Sequence, residues 1–395
     1  MLAKKMVEMS KQKSVIREIY EFGMKRAQEV GRENVFDFSI GNPNVPAPEV
    51  IKDIAIDILE KENPVITHSY PSNAGLVSTK IAIANSLNKR FDMDFTENEI
   101  FMSIGAAGAI MVCFRALIDG PEDEIVTFAP YFPEYKAFVD GAGGKLSVVP
   151  ADIDSFQINF EEFEKALNPN VKGVLINSPN NPTGIVYSEE TIKKLAAILE
   201  EKQKEYGHSI YIISDEPYRE IAFANVFVPY VPKYYDNTLV CYSYSKSLSI
   251  PGERIGYVAF SKRAEDADIL LPVLVAAARS LAYVSAPSLY QMVVERCVDE
   301  TADLSIYEKN KEIFYNGLVE MGYTCVEPGG AFYLFPRALE EDANAFCERA
   351  KKYNLLLVPG DSFGCPGHVR ISYCVPTEVI ERALPLFKKL ADEYK

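Results

Sequence analysis

Residues 238–260 read TLVCYSYSKSLSIPGERIGYVAF. An apolar run (Leu239–Cys241) enters a cluster of serines around one lysine, Lys246. Then come Pro251 and Gly252, an arginine at 254, and a second apolar run. Short apolar runs bounded by small and turn-forming residues are strands buried on both faces. Similar runs precede this one: EIVTFA, KLSVVP, GVLINS and IYII. Between them lie helical stretches. In the clearest, Ser188 stands where a cap belongs, and Ile192, Leu195, Ala196 and Leu199 follow at i, i+3, i+4, i+7 spacing. Strands alternating with amphipathic helices predict an α/β fold with a mainly parallel sheet covered on both faces.

Outward from this stretch, residues 11–30 predict a helix with Val15, Ile16, Ile19, Phe22 and Gly23 along one side. VFDFSIGNPNVPAP then predicts a short strand entering a loop stiffened by Pro43, Pro46 and Pro48. Residues 49–61 are helical, and a helix over 109–117 follows the small-residue turn GAAG. After about 285 the texture changes. One long helical stretch over 288–321 leads through GYTCVEPGGAFYLFPR to a smaller α+β pattern. The expected division is a large domain over 45–285 and a small one from 1–44 and 286–395, as befits 395 residues.

Bulk properties exclude some classes. A net charge of −15 repels nucleic-acid backbones. No segment approaches the ~20 apolar residues of a membrane span, and the N-terminus lacks the unbroken apolar run of a signal peptide. The seven cysteines form no short ligand spacing, and the three histidines are far apart. No metal site is expected, the thiols are read as reduced, and a cytoplasmic location follows.

Polar residues fall at successive strand ends, where ligands gather in open α/β sheets. Asn181 follows GVLINS in SPNNPTG, Asp215 ends IYIISD in SDEPY, and Lys246 follows TLVCYSYS. An amide, a carboxylate and an amine thus share one rim. NNPTG, DEPY and SYSK with Arg254 eight residues on, together with GAAG, PGGAFYLF, VPGDSFG and HVRIS, resemble the class I/II aminotransferases of the pyridoxal 5'-phosphate fold type I family. The likeness runs from about residue 15 to the end.

That resemblance implies a large pyridoxal-phosphate domain with a smaller α+β one, and a role for each residue. Lys246 forms the Schiff base, for which burial must free its amine of a proton. Asp215 partners the pyridine nitrogen, and Tyr218 with Asn181 meets the ring 3-oxygen. Arg254, Ser243 and the Gly105, Ala106, Ala107 turn hold the phosphate, the turn through backbone N–H groups. Phe132 stacks on the ring. Tyr70 reaches the phosphate of a neighbouring subunit, which implies a homodimer with shared sites. Arg370 clamps the substrate carboxylate near Gly41, with Asn181 a further substrate-binding residue. The implied reaction moves an amino group between an amino acid and a 2-oxo acid, with aspartate and 2-oxoglutarate the leading pair and neutral amino acids next. Some members carry a lysine just after the glycine turn, where this chain reads GAAGAI. A β-C–S lyase would share nearly all these residues. A non-catalytic regulator would need a DNA-binding domain ahead of the core.

Overall fold

The computed structural model describes residues 2–11 and 15–395. Its strands are β1 Phe36–Asp37, β2 Ile100–Ser103, β3 Glu124–Phe128, β4 Lys145–Val149, β5 Val171–Asn177, β6 Tyr211–Asp215, β7 Thr238–Ser243, β8 Gly256–Phe260, β9 Tyr333–Leu334, β10 Leu355–Leu356, β11 Val358–Pro359 and β12 Val369–Ser372. Seven of them form the central sheet, in the order β2-β8-β7-β6-β5-β3-β4. Neighbours from β7 to β4 run parallel, and β8 runs antiparallel to both β7 and β2. The expected mainly parallel α/β architecture is what the chain adopts.

Alternation along each strand sorts side chains to two faces. On β5, Leu175 points to the face covered by the helices Gly105–Leu117 and Ala267–Ser280, while Val174 and Ile176 point to the face covered by Glu189–Tyr206. Each large aliphatic side chain removed from water in this way contributes roughly 1.5–3 kcal/mol. The helix Glu189–Tyr206 starts as its sequence predicts: Ser188 caps it through the N–H of Thr191, and Ile192, Leu195, Ala196 and Leu199 are buried. A third core packs Ile51, Ile83, Ile100 and Tyr257 with Val293 and Val294.

A separate core gathers Phe38, Phe314, Phe332, Leu355, Ile371 and Phe387. It carries the antiparallel sheet β11-β12-β9 and the parallel pair β1-β10. The stretch 288–321 is two helices, Ser288–Glu295 and Ser305–Glu320, and not one. Between them the N–H of Ala302 donates to the carbonyl of Ser247 at 2.7 Å, and Asp303 accepts from the N–H of Ser305 at 3.1 Å. The first of these helices packs in the core that contains Ile51 and the second with Phe38. We therefore propose that the two units divide inside this break, later than residue 285.

Other details shift. The helix over 109–117 begins at Gly105 itself, so GAAG is its first turn. Helices span Lys4–Lys11 and Val15–Val30; residues 12–14 of the expected 11–30 helix lie outside the described residues. Of its apolar stripe Ile19 and Gly23 are buried, while Phe22 is exposed. Among the described residues no helix is long and apolar enough to cross a membrane.

Gly256 on β8 is where the sheet meets the first turn of the helix Gly105–Leu117. A Cβ there would stand 2.2 Å from the carbonyl oxygen of Tyr242 and 3.1 Å from the Cα of Gly105. Both are backbone and cannot rotate away. Gly256→Ala is expected to cost at least about 2 kcal/mol, read as a lowered urea midpoint at unchanged slope.

Candidate active site

β5, β6 and β7 lie side by side, and their carboxyl ends form the floor of a cavity of about 300 Å³. Every residue singled out from the sequence lines it except Gly105, which stands just behind its wall, and Tyr70. Tyr70 is 91 % exposed. The chain by itself does not bring Tyr70 to the site.

Asp215 ends β6 and is buried. Its Oδ2 accepts from the hydroxyl of Tyr135 at 2.5 Å, and its main-chain carbonyl accepts from the amide of Asn177 at 2.9 Å. Its Oδ1 is buried and has no protein partner. Loss of water pushes its pKa up to about 7, against the Tyr135 hydrogen bond and with help from the charge of Glu216. Glu216 itself is paired with buried Arg219 at 2.5 Å. That arginine also donates to the carbonyls of Val228 and Pro229 at 3.2 and 2.9 Å. Three residues past Asp215, Tyr218 shares a hydroxyl–hydroxyl hydrogen bond of 2.9 Å with Tyr333. Burial holds Tyr218 well above the ordinary phenol range.

β7 ends at Ser243, whose Oγ accepts from the N–H of Ser245 at 3.2 Å and caps the short helix Tyr244–Ser247. That helix carries Lys246. Its Nζ donates to the carbonyl of Gly41 at 2.7 Å and lies 5.5 Å from the centroid of Phe332. Burial pushes its pKa down to about 8, with the charges of Arg254 and Arg370 acting in the same direction and Cys374 opposing. Asp215, buried, and Lys246, half-buried just past the next strand end, are thus two ionisable groups each held by neutral partners.

Arg254 sits behind Lys246 with a left-handed backbone, φ 51°. Its guanidinium donates to Ser245 Oγ at 3.3 Å, to the carbonyl of Pro251 at 2.9 Å and to that of Ile104 at 3.2 Å. Gly105, φ +78°, opens the adjoining helix, and a Cβ there would stand 2.6 Å from the same guanidinium. The first N–H groups of a helix have no partner within it. With Ala106 and Ala107 on the cavity wall, this end of the site is suited to an anion.

Arg370, on β12, is buried at the opposite end. It donates to the amide oxygen of Asn181 at 3.1 Å and to the carbonyl of Ser39 at 2.5 Å. It lies 4.9 Å from the ring centroids of Tyr333 and Phe363, and its Nε is buried with no protein partner. The backbone N–H of Asn181 donates to Asn177 Oδ1 at 2.7 Å. Phe132 lines the side of the cavity and meets Tyr135 edge-on at 5.5 Å.

Reading by sequence missed Tyr135, Asn177 and Tyr333. Tyr135 lies three residues after Phe132, one helical turn on. Tyr333 lies inside PGGAFYLF, where nothing in the local pattern marks it as polar machinery.

The family model described as aminotransferase class I and II matches residues 33–385. The chain is 31% identical to an aspartate aminotransferase of Thermotoga maritima, over 89% of this chain and 90% of that one. It is 28% identical to aromatic-amino-acid aminotransferase 2 of Thermococcus litoralis, over 92% and 94%. The crystal structure of an aminotransferase from Eubacterium rectale superposes with a TM-score of 0.98 at 50% identity, covering 100% of this chain and 99% of that one.

The unpartnered carboxylate has a measurable consequence in the cofactor-free protein. A carboxyl with a folded pKa of about 7 and an ordinary value of 3.8 binds its proton more tightly in the folded chain. Folding stability is therefore lost as pH rises from about 4 to about 7, and the loss is complete above that. Asp215→Asn keeps an oxygen for Tyr135 and carries no charge. It is expected to stabilise the cofactor-free protein at pH 8 by roughly 2–4 kcal/mol and to have little effect at pH 4, as read from urea unfolding at the two pH values.

Proposed function

The chain belongs to the class I and II aminotransferases, and from that premise we propose that it moves an amino group between an L-amino acid and a 2-oxo acid, in two half-reactions, with pyridoxal 5'-phosphate in the cavity between Asp215 and Lys246. The observation that carries this reading is the buried Oδ1 of Asp215, unpartnered beside a lysine whose amine titrates near 8. A carboxylate in that state calls for a cationic N–H, which the pyridine nitrogen provides. Pyridoxal phosphate, when bound, supplies an aldehyde that takes up amines covalently and a protonated ring that accepts the electron pair left when a Cα proton departs.

The chain's own residues then have distinct tasks. Lys246 holds the cofactor and, once displaced by the incoming amino acid, takes the proton from the substrate Cα. Its pKa near 8 leaves a useful fraction of neutral amine at neutral pH. Asp215 keeps the ring nitrogen protonated; Tyr135 holds its carboxylate in line, and Asn177 holds its main-chain carbonyl. Tyr218 and Asn181 face the ring 3-oxygen, and Phe132 its face. Arg254, Ser243 and the first turn at Gly105, Ala106 and Ala107 take the phosphate. Arg370, braced by Asn181 and Ser39 and with Nε free of protein partners, takes the substrate carboxylate beside Gly41.

Exposed Tyr70 belongs in this reading to the phosphate end of a second subunit's site, which makes the working unit a homodimer. Exposed Val65 and Ile66 nearby in the chain support such a contact. The acidic balance and free cysteines support a cytoplasmic setting.

Lys246→Ala is expected to lower transamination at least about 10³-fold, the scale of a lost general base together with the lost attachment, and to abolish borohydride fixation of the cofactor to the protein. Normal turnover by this variant would sink the assignment. Arg370→Lys loses the fork and is expected to raise the KM of the amino acid by about 100-fold. Steady formation of ammonia and pyruvate from cysteine without an oxo-acid acceptor would point to a lyase instead.

A further inference from the structure

We infer that the amino-acid donor carries a large, uncharged apolar side chain, and that the side chain leaves the reaction cavity between Ile40, Ile16 and Phe132 to enter a second cavity. The inference rests on the transaminase reading and names the donor class.

The cations on the cavity wall, among the described residues, are Lys246, Arg254 and Arg370. Cofactor, phosphate and substrate carboxylate engage all three. Among the described residues of this chain, a second carboxylate on the donor finds no further cation on the cavity wall. The residue beside the substrate Cα is Ile40: the carbonyl before it, on Ser39, holds Arg370, and the carbonyl after it, on Gly41, holds Lys246. Its side chain lines the cavity. Just after the glycine turn, the residue on the wall is Ile110.

Ile16 and Phe132 also line an adjoining cavity of about 480 Å³. These two residues therefore mark the passage. Met9, Val15, Pro133 and Ala137 give the outer cavity its apolar wall. Its charged residues among those described are Lys5, Lys136, Glu8, Glu134 and Asp140. Both amines are engaged by Asp140: Lys5 donates to its main-chain carbonyl at 2.6 Å and Lys136 to its carboxylate at 3.2 Å. Among the described residues the carboxylates outnumber the amines, so a donor with a second carboxylate meets repulsion from them. An apolar side chain instead covers Ile16 and Phe132, both half-buried in the free chain.

The test uses the reconstituted holoenzyme. The rate of cofactor conversion, followed by absorbance with no oxo acid present, is measured for leucine, methionine, phenylalanine, alanine, aspartate and glutamate. Leucine, methionine or phenylalanine is expected to exceed aspartate and glutamate at least tenfold in kcat/KM. Equal or faster reaction of either acidic donor overturns the inference and leaves the transaminase reading standing. Failure of every donor, alanine included, fells the transaminase reading itself. Binding gives a readout independent of turnover: by calorimetry, 4-methylpentanoate should bind at least tenfold more tightly than succinate, and the reverse order overturns the proposal. Ile16→Ser is expected to lower the leucine-to-alanine ratio of kcat/KM about tenfold; an unchanged ratio overturns the route past Ile16.

Discussion

A buried carboxylate and a half-buried amine lie at neighbouring strand ends and are kept from each other. Asp215 is held by Tyr135 and Asn177, and Lys246 by the carbonyl of Gly41. Burial, as the largest cause, moves the first up to about 7 and the second down to about 8. A direct ion pair would relieve both groups, and the fold denies it. Such an arrangement is costly to the free chain, because a buried polar atom without a partner forfeits its hydration. It is stable only because the surrounding sheet is rigid and apolar. The same cost is recovered when a ligand brings a cationic N–H to one group and a carbonyl carbon to the other.

Rigidity comes from the parallel strands. β6 and β7 are buried along their full lengths and β5 at every residue but Lys172, and all three are packed on both faces. Their ends are therefore fixed points from which short loops project polar groups. The second unit reaches the same cavity through one strand and one loop. Arg370 on β12 and the segment 39–41 are tied together, since Ser39 accepts from Arg370 and the N–H of Ser372 donates to Phe38 at 2.8 Å. Motion of the second unit against the first therefore carries Arg370 and the carbonyl that accepts from Lys246 as one piece.

The sheet and its polar rim were legible in the sequence for a local reason. A strand, a turn and the polar residue at its end lie within about ten residues, so Asp215 in SDEPY and Lys246 in SYSK announce themselves. Tyr135 and Tyr333 did not, because each acts through a hydroxyl that meets a residue 80 or 115 positions away. Asn181 was read as a group for the cofactor and the substrate, and its bond to Arg370, 189 positions on, was not visible. The interruption of the 288–321 helix was missed for a related reason. No proline or glycine marks it in 296–304; a tertiary bond from Ala302 to the backbone beside Lys246 does.

Chemistry and selection are also placed on elements of unlike stability. Asp215 ends a core strand and Lys246 sits on the short helix that follows the next one, where a change of one methylene is felt throughout the packing. Met9 and Ile16 sit on the helices Lys4–Lys11 and Val15–Val30; the first has no buried residue and the second only Ile19 and Gly23. Substitutions there cost little folding energy, since little apolar surface is removed from water in the free chain. Surface that is only half-covered before binding is also where an apolar side chain gains most from being covered. On the proposed reading, a chain built this way fixes how an amino acid reacts at Lys246 by its most stable parts, and leaves the choice of amino acid to its least stable ones.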